Sequence, residues 1–315
     1  MRKGMTRGRG AAFAAVALGT LLLVPGLTAC GGDAGVPSSN KGSEGAATQQ
    51  EIIERAPVAD SVPEDSPTIQ RIKDSGVMIW GGDSRSPLFS QLNPSTGGYE
   101  GFEAGLAYML AKYITGEPKL ENVQATSASR EALLQNGTVQ VVIMGYSITP
   151  ERAEKVNFAG PYLRTGDGIM VRADNKDIKT VDDLNGKKVA TNPGVGEKHV
   201  LDHAPNATTL PFDSGTEGIQ ALLQGRADAF VLNMPSLISA ASQYPDKVKI
   251  VDPKPFTELN FGIGLPKEDP AFKKFVNEWL TEIEKEGLWK DLWDATAGAV
   301  QKAPEPPKIG NVPGA

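Results

Sequence analysis

One cysteine, Cys30, stands near the start of this 315-residue chain, and none follows it. No disulfide can staple the fold, so stability has to come from buried apolar area. The length beyond Cys30 suits one large domain or two smaller lobes. Strand and helix patterns alternate along it. Val77-Met78-Ile79-Trp80 is a short apolar run closed by Gly81-Gly82, a strand and a turn. Gly101 to Thr115 places Phe102, Leu106, Met109, Leu110 and Tyr113 at helical spacing. Val139 to Met144 reads as a buried strand, and a helix starts within Thr149 to Lys155. Lys188 to Thr191 and Ala229 to Leu232 read as strands, Gly218 to Gln224 as a helix, and Asp269 to Trp293 as one long amphipathic helical stretch. This alternation predicts an α/β fold with mainly parallel sheets.

The first residues read as a secretory signal. Arg2, Lys3, Arg7 and Arg9 precede an apolar run from Ala11 to Leu23, which Pro25 breaks. The run is shorter than the roughly 20 residues that a membrane-spanning helix needs. Leu27-Thr28-Ala29-Cys30, followed by Gly31-Gly32, resembles a bacterial lipobox. That resemblance implies that residues 1–29 are a lipoprotein signal peptide, that Cys30 carries a lipid, and that the exported chain is anchored at the outer face of the cell membrane. The plainer alternative is a leftover cysteine beside an ordinary cleavage site. Residues 1–29 hold four of the 32 basic residues and none of the 38 acidic ones, which leaves 28 against 38, a net charge of −10. So acidic a chain repels phosphate backbones, which argues against nucleic acid as a partner. Residues 30–67, rich in Gly, Ser, Ala and Pro, read as a flexible tether in which Gln49 to Ala56 is at most a transient helix. Residues 301–315 read as a disordered Pro-rich tail.

Two helix starts suit an anion. In Met144-Gly145-Tyr146-Ser147-Ile148-Thr149-Pro150-Glu151-Arg152 a strand runs into a helix with Thr149 as N-cap and Pro150 at the first helical position. Unpaired N–H groups, the Arg152 fork and the Ser147 hydroxyl can together hold a carboxylate. The alternative is a surface Arg152 paired with Glu151 or Glu154. In Val189 to Glu197 a strand enters a glycine-bearing loop, Pro193-Gly194-Val195-Gly196, and a second helix start. By itself this is as well explained as a plain strand–helix turn.

Residues from about Gly76 to Trp293 resemble the polar amino-acid-binding proteins of bacterial ABC importers, solute-binding family 3. The segments GVMIWGGD, GGYEGFEAGLAYMLAKYI, REALLQNGTVQVVIMGYSITPERAEKVNFAGPYL, VDDLNGKKVATNPGVG and GIQALLQGRADAFVLN carry the resemblance. The spacing of Arg130, Ser147, Arg152 and Gly160-Pro161-Tyr162 is the most specific part. The tether and tail further resemble actinobacterial glutamate/glutamine-binding lipoproteins. The resemblance implies a two-lobed periplasmic-binding-protein-like fold of type II. Lobe 1 would be residues 68–161 plus 262–300, and lobe 2 residues 167–256. Leu163 to Gly166 and Glu258 to Phe261 would be the crossovers that act as a hinge. It also implies a monomeric chain, ABC permease subunits as partners, an amino acid in the cleft, and no cofactor.

Carried over residue by residue, Arg152 would pair with the ligand α-carboxylate, with Ser147 and the Gly145 carbonyl beside the α-carboxylate and α-ammonium. Ser127 and Arg130 stand where glutamate/aspartate binders hold the side-chain carboxylate; otherwise Arg130 is an exposed helix-start arginine. Arg85, after Asp83, would add a cation near the ligand side chain or pair with Asp83. Two positions depart from the family. Asn233 replaces an aspartate that holds the ligand ammonium, and Val195 replaces a threonine after the loop glycine. Each loss weakens binding by about 1–3 kcal/mol if nothing compensates. The departures point to weak binding or to a ligand without an α-amino group.

Rival readings remain open at this level. A sensor subunit that signals to a membrane partner would share every feature above. Dehydratases use the same fold, and Glu103 and Glu197 are the acids such chemistry would draw on. No Gly-x-Ser-x-Gly elbow supports a serine hydrolase. His199 and His203, four apart, share a helix face but lack a third zinc ligand.

Overall fold

A computed structural model describes residues 47–314. The signal segment and Cys30 lie outside the described residues. The first element, α1 (Gln49–Arg55), has a capping box in which Thr48 and Glu51 exchange hydrogen bonds. Its Ile52 and Ile53 are buried in the main core with Ala56 behind them. From residue 47 onward the expectation of a loose tether is therefore corrected: the buried isoleucine pair, with Gln49 bonded to Gly101 and Tyr99 and Lys112 bonded to the Ile53 and Glu54 carbonyls, docks the short helix.

Next come α2 (Pro67–Ser75), β1 (Met78–Gly82), and three short strands in a small antiparallel sheet, β2 (Arg85–Ser86), β3 (Ser90–Leu92) and β4 (Tyr99–Glu100). They are followed by α3 (Phe102–Thr115), β5 (Leu120–Gln124), α4 (Arg130–Gln135), β6 (Val141–Val142), α5 (Pro150–Ala153) and β7 (Asn157–Thr165). A second sheet is built from β8 (Asp167–Arg172), β9 (Lys188–Thr191), β10 (Thr208–Pro211), β11 (Ala229–Asn233) and β12 (Val248–Ile250), with helices α6 (Val195–His203), α7 (Gly215–Leu223) and α8 (Met234–Gln243) between them. The chain then returns through β13 (Leu259–Leu265) and ends its regular structure with α9 (Pro270–Lys285) and α10 (Leu288–Ala295).

The first sheet has the order β5-β1-β6-β13-β7 and the second β10-β9-β11-β8-β12. Neither is mainly parallel, which corrects the expectation. β1 is parallel to β5 and β6, but β13 is antiparallel to β6 and β7; β9 is parallel to β10 and β11, but β8 is antiparallel to β11 and β12. The cause is the double crossing. The chain leaves the first lobe on β7 and comes back on β13, so Leu259, Asn260 and Phe261 face Thr165, Arg164 and Leu163 in opposite directions.

The main core packs Phe102 against Trp289 and Trp293 at 5.2 and 5.0 Å between ring centroids. Asp269 caps α9 through the Phe272 N–H at 2.9 Å and also accepts from Ser66 Oγ and the Thr68 N–H, joining the starts of α2 and α9. The stretch Asp269–Trp293 is two helices, not one, because Gly287 breaks it in a left-handed conformation at φ +78°. The Pro-rich end is also not loose. The Gly310 N–H donates to the Gly160 carbonyl at 2.7 Å, and Ala303, Ile309 and Val312 pack on the first lobe.

Candidate ligand-binding cleft

One cleft opens between the sheets, and all nine expected site residues line it. From the first lobe come Asp83, Arg85, Ser127, Arg130, Gly145, Ser147 and Arg152; from the second come Val195 and Asn233. The predicted strand 139–144 is regular only at Val141–Val142, after which the chain turns into the cleft. Gly145 takes φ +58°, and a β-carbon there would stand 3.4 Å from the Phe261 ring. Its N–H donates to Glu103 Oε1 at 2.7 Å, and Tyr162 Oη donates to the same oxygen at 2.6 Å. Burial raises the Glu103 carboxyl above its ordinary value, against the pull of those two bonds. Glu103 thus fixes a peptide at the cleft floor, a structural task that sets it apart from a proton-transfer acid.

The helix expected over 149–155 is a single turn, Pro150–Ala153, with Thr149 Oγ1 accepting the Arg152 N–H at 3.3 Å. A turn this short carries little dipole, so Arg152 matters through its side chain. Nη1 donates to the Ser147 carbonyl at 2.9 Å, and Nε lies 3.9 Å from Glu131; neither Glu151 nor Glu154 is its partner. Arg130 is 4% exposed, which corrects the alternative of a surface arginine. Its Cζ lies 3.9 Å from the Tyr146 ring centroid, and that of Arg152 lies 5.4 Å from the same ring. Arg130 Nη1 makes only long contacts, 3.4 and 3.5 Å, to the Met144 and Gly145 carbonyls, and Nε is buried without a partner. Burial and the neighbouring Arg152 lower Arg130 to about 9, so it still holds its charge at neutral pH. Burial lowers Arg152 as well.

Arg85 pairs with Asp83 at 3.4 Å and is half exposed at the cleft mouth. Across the cleft, Asn192 Nδ2 donates to Ser127 Oγ at 3.3 Å, a direct link between the lobes. The Gly194 N–H donates to Glu197 Oε2 at 3.3 Å at the start of α6, and Val195 and Gly196 line the cleft. Val195 packs against the core of the first lobe, so the hydroxyl absent there is replaced by an apolar contact between lobes. Asn233 is the N-cap of α8, and its Oδ1 accepts the Ser236 N–H at 3.0 Å. His199 Nδ1 meets Asp167 at 2.6 Å and His203 Nδ1 meets the His199 carbonyl, so neither is poised for zinc, and among the described residues no group of three metal-ligating side chains forms. Asp167, Asn192 and Tyr146 are site residues that sequence patterns alone did not single out. Tyr146 was detectable as an aromatic between two predicted site residues.

The family model of the bacterial extracellular solute-binding proteins, family 3, matches residues 78–295. The chain belongs to this family. Among the relatives of this solute-binding protein, the ABC transporter glutamine-binding protein GlnH of Bacillus subtilis is 30% identical over 281 residues, covering 88% of this chain and 94% of the relative. The glutamate-binding protein GluB of Corynebacterium glutamicum is 32% identical over 210 residues, covering 62% and 71%. Among solved structures, the arginine-bound form of truncated ArgBP from T. maritima has a TM-score of 0.61 and 31% identity, covering 68% of this chain and 99% of that one. The chain is an extracytoplasmic solute-binding protein with the two-lobed α/β fold of such proteins. No described helix is long and apolar enough to cross a membrane.

Proposed function

We propose that this chain is the substrate-binding lipoprotein of an ABC importer for polar amino acids, with L-glutamate and L-aspartate first and L-glutamine in the same class. One observation carries the reading: Arg130 and Arg152 are both turned over the ring of Tyr146, with no carboxylate in contact with Arg130 among the described residues. A buried cation without an anionic partner is costly, and Arg152 has only a distant carboxylate, Glu131 at 3.9 Å, so a ligand with two anionic or strongly accepting ends gains most from this cleft. Arg152, Ser147 and the N–H groups at the start of α6 receive the α-carboxylate. Arg130 and Ser127 receive the distal carboxylate or amide. Relatives named for glutamine and glutamate support the class, and the arginine-bound neighbour defines the competing specificity. Lobe closure, with Asn192 reaching Ser127, would present the loaded protein to the permease, and a lipid on Cys30 would keep it at the membrane.

A thermal-shift screen of the chain from residue 31 tests this. L-Glutamate, L-aspartate or L-glutamine should raise the melting temperature in proportion to the logarithm of concentration. Stabilisation by L-arginine or L-lysine, with none by any dicarboxylate, would reject the specificity. No stabilisation by any amino acid would reject the importer reading.

A further inference from the structure

We infer that Asp167 is the anionic seat for the ammonium group of the ligand, in place of the aspartate that Asn233 replaces. The inference rests on the amino-acid reading above.

The Asn233 side chain cannot serve this purpose. The first turn of α8 needs an acceptor, and Oδ1 supplies it to the Ser236 N–H at 3.0 Å. The remaining atom, Nδ2, is a donor, and it lies 3.9 Å from where a Gly145 β-carbon would stand. A donor turned toward an ammonium repels it. An aspartate at this position would cap with one oxygen and hold the ammonium with the other; the amide keeps only the cap.

Asp167 stands directly opposite. In the antiparallel pairing of β8 and β11, Asp167 is in register with Asn233. Opposed residues share a face of the sheet with β-carbons about 5 Å apart, and both residues line the cleft. The backbone of Asp167 is fixed at the hinge, its N–H bound to Thr257 Oγ1 at 2.8 Å and its carbonyl to the Phe256 N–H at 2.9 Å. His199 Nδ1 lies 2.6 Å from Oδ2 and, since a carboxylate only accepts, donates to it. Among the described residues nothing donates to Oδ1. The carboxylate is 6% exposed and held in place on one side only.

The other carboxylates of the cleft are committed or poorly placed. Glu103 is bound by the Gly145 N–H and Tyr162. Asp83 faces Arg85, and Asp213 is exposed at the rim. Asp167 alone combines burial, a free oxygen and the position beside Asn233. A negative charge here on the second lobe also complements the two arginines on the first, so a zwitterion spans the cleft with each end matched. His199, bonded to Oδ2, is the positioning residue that orients the Asp167 carboxylate.

Calorimetry on the chain from residue 31 tests this with matched pairs of probes: L-glutamate against glutarate, L-glutamine against glutaramate, and L-arginine against 5-guanidinopentanoate. Each pair differs only in the α-ammonium. Asp167→Asn, which keeps volume, should weaken the amino acid about ten-fold or more while leaving its des-amino partner unchanged or tighter. Asn233→Asp in the Asp167→Asn background should restore amino-acid affinity, and Asn233→Asp alone should gain less than about three-fold, since the seat is already charged. An equal loss for both members of a pair would mean a structural role, and a ten-fold gain from Asn233→Asp alone would mean an empty seat; either overturns the inference. Tighter binding of the des-amino probe by the unaltered chain overturns it too. If the unaltered chain binds only the arginine pair, the acidic specificity fails, and that pair decides Asp167 on the same criteria.

Discussion

The guanidinium of Arg130 stacks 3.9 Å over the ring of Tyr146 and is buried there without a carboxylate in contact among the described residues. Function and stability pull apart at this position. Arg130→Met should keep the apolar stem and the aromatic contact while deleting the charge. Replacing a buried charge by an apolar side chain of similar volume is often neutral or stabilising by about 1–4 kcal/mol. The expected result is an unchanged or higher melting temperature without ligand, together with at least a ten-fold loss of affinity for L-glutamate.

The docked helix α1 yields a second prediction. Ile52 is fully buried and Ile53 nearly so. Ile52→Ala should cost about 2–4 kcal/mol in denaturant unfolding of the chain from residue 31. A loose tether would leave stability unchanged.

Glu284 yields a pH dependence. Burial raises its carboxyl from the ordinary 4.5 to about 7, and its Oε1 is buried without a partner. Below pH about 4.5 the group is protonated in both folded and unfolded chains and has no effect. Between about 4.5 and 7 the unfolded chain ionises first, so this group subtracts stability as pH rises, and above 7 the penalty is constant. Glu284→Gln should therefore match the unaltered chain near pH 4 and exceed it in stability at pH 8. Urea melts at the two pH values read the difference.

Much of the cleft was legible because its signals are local. A strand, a turn, a Thr-Pro cap and an arginine at Arg152 lie within nine residues, and Gly145 and Ser147 fall in the same run. Asp167 was not legible, since its place beside Asn233 depends on the register of two strands more than sixty residues apart. The mixed sheets were missed for a similar reason: the antiparallel pairing of β7 with β13 follows from crossing between lobes twice, which no window of sequence contains. In α1 the signal was present but weak. Thr48 and Glu51 spell a capping box, and a polar, Gly-rich context hid the Ile52-Ile53 pair.

Membrane attachment is tested at Cys30. Cys30→Ser should move the protein from the membrane to the soluble fraction on cell fractionation. Equal retention of the variant at the membrane would place the anchor elsewhere.

Calorimetric titration of L-glutamate into the chain from residue 31 and into its Arg152→Ala variant tests whether Arg152 holds the carboxylate of an acidic amino acid in this cleft. Removing one partner of a buried, charge-assisted pair costs about 3–5 kcal/mol, so the unaltered chain should bind saturably at one site and the variant several hundred-fold more weakly, with its fold intact by circular dichroism. Equal affinity in the two proteins, or no binding of L-glutamate, L-aspartate or L-glutamine by the unaltered chain, would contradict the account.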